Sequence, residues 1–158
     1  MPNIFVQRYV ILGNRKIIDR VMKDHFYIAN QKNFPYRQGS LPMWLSKGLM
    51  DDDPMLEQIV NSGDFVREKD KISFSSYMGY DMHYHLIENM ARKLPKGTIL
   101  LVIGFDMDDF PSATGGQIAE IEGYTGRQIR YETYPSQWIA KHHFPLLFNQ
   151  LEEENNST

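Results

Sequence analysis

The chain has 158 residues, which suits a single domain, and 42% hydrophobic with 23% charged residues is a globular composition, not a disordered one. A formal net charge of -3 without a long basic run excludes duplex nucleic acid as an expected partner, because binding its backbone needs clustered Lys and Arg. The absence of cysteine excludes disulfides, thiolate nucleophiles and Cys-ligated zinc.

A small anionic ligand stays open, since helix N-termini and a few local cations can hold one. "MPNIFVQRYVILGNRK" lacks a basic stretch followed by a long apolar one. No signal peptide and no membrane span are expected, and cytoplasmic is the expected location.

In chain order, "NIFVQRYVIL" (3–12) is rich in β-branched and aromatic residues and ends at Gly13-Asn14, so a strand is predicted. Residues 15–31 place Ile17, Ile18, Val21, Met22, His25 and Phe26 on a helical stripe. His25 reads as a partly buried helix residue. Residues 32–48 hold two prolines, two glycines and three aromatics and read as a long loop. This loop either buries Phe34, Tyr36 and Trp44 as anchors or offers them to a protein partner. "DDDPMLEQIVNSG" (51–63) reads as a short helix whose aspartates favour the N-terminus and whose Pro54 suits the first turn.

A strand at 71–77, a helix at 81–94 and an apolar strand at 98–105 follow. A short helix is predicted within 114–126, a strand over 127–134 and a helix over 135–154 around Pro145; 155–158 reads as a disordered tail. Residues 1–154 are expected to form one α/β domain with a mainly parallel, Rossmann-like sheet flanked by helices. Ligands of such sheets sit beyond the carboxyl ends of the strands. That expectation selects two loops, 75–81 and 106–116.

In the second loop, Gly115 and Gly116 would open the helix and leave amides for a phosphate, with hydroxyls from Ser112 and Thr114. Glu120, one turn in, would lean back toward the helix start. It could attack or stabilise an anomeric carbon, as carboxylates do in glycosidic chemistry. Asp106, Asp108 or Asp109 could hold a ribose hydroxyl or protonate a leaving base, and Asp106 and Asp109 join Glu120 as the catalytic candidates. The plain alternative is capping, since Glu near a helix N-terminus is favourable without chemistry. Tyr77, Gly79 and Asp81 would line the other wall.

"FPSATGGQIAEIEGYTGRQIRYE" (110–132) resembles the nucleotide-site segment of the nucleoside 2-deoxyribosyltransferase-like superfamily. That resemblance implies Glu120 as the nucleophile that takes the sugar, with Ser112 and Gly116 as the loop contacts. "SSYMGYDMHYHLIENMARKLPKGTILLVIG" (75–104) is similar to the Rossmann-like group that includes cytokinin-activating phosphoribohydrolases and DprA-like proteins. It implies nucleotide contacts at Ser75, Ser76, Gly79 and Asp81. Both imply a nucleoside or nucleotide ligand, N-glycosidase or deoxyribosyltransferase chemistry, and a homo-oligomer.

Two other readings stand beside this one. The same pocket could bind or sequester a nucleotide-derived ligand without turnover. Alternatively, "DMHYH" (81–85) could use His83 and His85 as metal ligands in a hydrolase. The predicted helix there turns those two side chains to nearly opposite sides, which weighs against it. No cofactor and no metal are expected.

Overall fold

The structure is a computed structural model and describes residues 5–28, 44–50, 57–60, 64–78, 84–108 and 110–156. The chain order is β1 (Phe5–Leu12), α1 (Arg15–His25), β2 (Phe26–Ile28), β3 (Trp44–Lys47), β4 (Glu57–Ile59), β5 (Val66–Arg67), β6 (Lys71–Met78), α2 (Tyr84–Arg92), β7 (Ile99–Asp106), β8 (Gly115–Glu122), β9 (Gln128–Pro135), α3 (Ser136–His143) and α4 (Pro145–Asn156).

The main sheet runs β5-β6-β1-β7-β8-β9, and every neighbouring pair in it is antiparallel. This overturns the mainly parallel, Rossmann-like sheet expected from the sequence. Two pairings cause the difference. First, β1 inserts between β6 and β7 and runs against both, in the registers Phe5 to Met78 and Phe5 to Asp106. The β6–α2–β7 crossover survives, but its two like-directed strands are one strand apart. Second, residues 115–122 form a strand, not the predicted helix, and β7-β8-β9 becomes a meander. With the parallel switch point gone, the hydrolase, glycosidase or transferase chemistry drawn from it has no support in the fold.

The helix predicted over 15–31 stops at His25, because Phe26–Ile28 pairs with β3. Within the predicted helix 51–63, Glu57–Ile59 is a strand pairing with β3. Pro145 splits the C-terminal helix in two and opens α4, as its missing N–H allows. That helix runs to Asn156, into the stretch expected to be tail.

Strand alternation sends side chains to two covered faces. One face carries Tyr9, Ile11, Ile72, Phe74, Leu100, Val102 and Ile121 against Ile18 and Val21 of α1 and Ile87, Met90 and Ala91 of α2. Asn14 starts α1 there, its Oδ1 accepting the Ile17 N–H at 2.9 Å. The other face carries Val6, Ile103, Phe105 and Ile118 against Ile139, Ala140 and Leu151 of α3 and α4. Each such buried aliphatic or aromatic side chain stabilises the fold by about 1.5–3 kcal/mol. Trp44 stacks on Phe65 at 4.5 Å, and Phe65 continues into Phe26 and Phe74. Within the loop predicted over 32–48, Trp44–Lys47 is strand β3, and Trp44 joins the core margin from that strand; Phe34 and Tyr36 lie outside the described residues.

Candidate functional site

The carboxyl ends of β6 and β7 do meet at one end of the sheet, separated by the start of β1. On the α1/α2 face of that end, one cross-strand row reads Gln7, Gly104, Gln117 and Thr133 across β1, β7, β8 and β9. The next row outward pairs Phe5 with Asp106. This row is the polar interruption of an otherwise apolar face.

Gln7 is buried at 1% exposure, and its Oε1 accepts the hydroxyl of buried Tyr9. Burial pushes that phenol well above its ordinary pKa, so it stays a donor. Gly104 is required by shape: a Cβ there would lie 2.6 Å from the Phe5 ring, 2.8 Å from the Val6 carbonyl and 3.3 Å from Gln7 Cγ. Gln117 stands on the far side of that glycine, about 10 Å from Gln7 at two strand spacings. Its Oε1 is buried and accepts no hydrogen bond. Leaving such an acceptor unmet costs about 1–3 kcal/mol, and a buried polar group in that state calls for a reason. Asp106, 5% exposed, accepts the Asp108 N–H at 2.9 Å and so closes the turn after β7.

The residues singled out from the sequence fall in different places. Glu120 lies in β8, and its Oε2 is 3.3 Å from Arg130 Nε. It pairs in register with Leu101, on the α3/α4 face, opposite to the face that carries Asp106. Asp109, Gly79, Asp81 and His83 lie outside the described residues. Tyr77 sits in β6 opposite Val6, and Ser76 opposite Gln7. The backbone N–H and the hydroxyl of Ser75 both donate to Asp64.

The predicted phosphate cradle is occupied by the chain itself. The Ser112 N–H donates to Ser136 Oγ at 2.8 Å, the Ser136 N–H donates to the Ser112 carbonyl at 3.1 Å, and the Thr114 N–H donates to Ser112 Oγ at 3.2 Å. Ser112 thus clasps the start of α3. Gly115 and Gly116 open a strand and no helix. Gly116 is there for packing, since a Cβ would lie 2.5 Å from Ile139 Cγ1 and 2.9 Å from the Tyr134 carbonyl.

His85 is exposed at the start of α2, and no group of three or more metal-ligating side chains occurs among the described residues. A shallow cleft of about 390 Å³ lies at the other end of the sheet, between Lys96, Thr98, Glu122 and Ile129. Its carboxylate is already paired: Arg127 holds Glu122 below its ordinary pKa, at 2.7 Å, with help from Thr125. No described helix is long and apolar enough to cross a membrane.

Sequence reasoning missed Gln7, Gly104 and Gln117. A signal existed for the first, since Gln7 interrupts the apolar stripe Phe5, Tyr9 and Ile11 of one strand face. Gln117 was hidden by the helix assignment of its segment.

No family model, curated protein or solved structure matches the chain.

Proposed function

We propose that the protein binds a small, neutral, flat ligand without chemically changing it, of the kind that a nucleobase or nucleoside represents. The observation that carries this reading is the buried Gln117 Oε1 that accepts no hydrogen bond, in the same cross-strand row as the buried Gln7 amide. An acceptor at Gln117 and a carboxamide at Gln7 match a ligand edge that offers both donors and acceptors.

Two features favour binding over turnover, and a third bears on the ligand's charge. Glu120 and Asp106 project from opposite faces, so this arrangement does not aim them at one bond. The carboxylate of Glu120 is engaged by Arg130. The amides of Ser112 and Thr114 are consumed internally, which favours an uncharged ligand over a phosphorylated one.

The test is a melting-temperature screen of free bases, nucleosides and nucleotides against wild type and Gln117→Met. A ligand well above its dissociation constant stabilises the fold by about 2.7 kcal/mol at a hundredfold excess. A base or nucleoside that stabilises wild type, fails to stabilise the variant and is recovered intact supports the reading. Equal stabilisation of both proteins, or release of free base from a nucleoside, refutes it.

A further inference from the structure

The main sheet has two unequal edges. At one end β5 pairs through only Val66 and Arg67, which is too short to template another strand. At the other, β9 runs over Gln128–Pro135 and pairs, among the described residues, with β8 alone. Its outward surface is open: Ile129 is 43% and Tyr131 42% exposed. A long open edge of this kind invites another strand unless its side chains forbid the pairing.

The side chains of β9 forbid most pairings and match one. In a two-fold antiparallel pairing, residue i faces residue j and j faces i. Centring the axis on Arg130 or on Glu132 sets like charges directly opposite each other, which destabilises a sheet. Centring it on Tyr131 sets Arg130 opposite Glu132 twice, Ile129 opposite Thr133, and Gln128 opposite Tyr134. Both charges also lie on one strand face, with Arg130 Nη1 3.6 Å from Glu132 Oε2 in the isolated chain. The Glu132 carboxylate is oriented further by the Tyr134 hydroxyl. The β-bulge between Glu120 and Ile121 leaves Ile129 unmatched by β8, so this exposed apolar side chain has no cross-strand neighbour among the described residues.

We infer that β9 is a homodimer interface in which two copies pair antiparallel about Tyr131, joining their sheets across a two-fold axis with reciprocal Arg130–Glu132 pairs. This pairing does not rest on the ligand reading, although the row through Gln7 and Gln117 ends on the same strand at Thr133.

Charge complementation tests it. Wild type, Arg130→Glu, Glu132→Arg and an equimolar mixture of the two variants are compared by sedimentation velocity over a concentration series, with circular dichroism confirming that each is folded. The expected result is a dimer for wild type, monomers for each single variant, and a restored dimer in the mixture, where every cross-strand pair is again of opposite sign. The double variant Arg130→Glu/Glu132→Arg should dimerise with itself. A wild type that stays monomeric throughout overturns the inference, as do single variants that dimerise like wild type or a mixture that stays monomeric.

Discussion

Glu120 and Asp106 lie on opposite faces of one sheet, on the neighbouring strands β8 and β7. Glu120 pairs with Leu101, and Asp106 is five positions further along β7, a separation of roughly 17 Å at strand rise. Two groups so placed report on separate surroundings. A double-mutant cycle of Glu120→Gln and Asp106→Asn, followed by urea unfolding, should give a coupling within about 0.5 kcal/mol of zero. A larger coupling would mean that both carboxylates share a partner.

Glu120 should couple to Arg130 instead. The pair is partly exposed, and Glu132 shares the same guanidinium. A cycle on Glu120→Gln and Arg130→Gln is expected to give about 0.2–1 kcal/mol, falling with added salt. A coupling unchanged by salt would contradict an ion-pair origin.

Gln117→Met should not destabilise the ligand-free protein. The substitution keeps the side chain's length and removes a buried acceptor that has no donor. Removing an unmet polar atom relieves up to about 1–3 kcal/mol. The urea midpoint should hold or rise; a clear fall would show that the amide contributes to the fold and is not held in reserve for a ligand.

Gly116→Ala should loosen the junction between β8 and α3. Its Cβ would press on Ile139 and on the Tyr134 and Pro135 carbonyls, at 2.5, 2.9 and 3.0 Å. Ile139 can shift, but the two carbonyls belong to a hydrogen-bonded strand, so a loss of about 1–3 kcal/mol is expected. Thermal unfolding measures it. An unchanged melting temperature would mean that α3 is free to move away from the sheet.

His143 makes stability pH-dependent. Burial, then Arg8, then His142 hold its imidazole below the ordinary histidine value. The Arg8 guanidinium is fixed nearby by donating to the His143 carbonyl at 3.3 Å. Between the depressed native pKa and the ordinary one near about 6.5, the unfolded chain binds more protons. Stability therefore rises with pH in that window and is lost as pH falls through it. Melting temperature measured across this range should decline less steeply on acidification for His143→Gln than for wild type.

Several elements were legible because their cause is local. β1, β6, β7 and β9 are written in β-branched and aromatic runs, α1 in a helical stripe behind Asn14, and the break at Pro145 in its own chemistry. What decided the fold is non-local. Ala119, Glu120 and Glu122 are helix-compatible residues, yet two flanking strands supply hydrogen-bond ladders to their backbone and override that preference. Nothing near Phe5–Leu12 reveals that β1 inserts between β6 and β7. That insertion turns a parallel pair into two antiparallel ones. The site followed the same division. Asp106 is readable as the polar end of an apolar strand. The row through Gln7, Gly104 and Gln117 exists only once three strands are in register.

The most direct test of the binding reading is a titration of the protein with free bases and nucleosides, watching the side-chain amide resonances of Gln7 and Gln117 by heteronuclear NMR. The expected result is a saturable shift of both amides with one ligand class, with the ligand unchanged at the end of the titration. Amides that stay still while another surface responds, or a ligand consumed during the experiment, would contradict it.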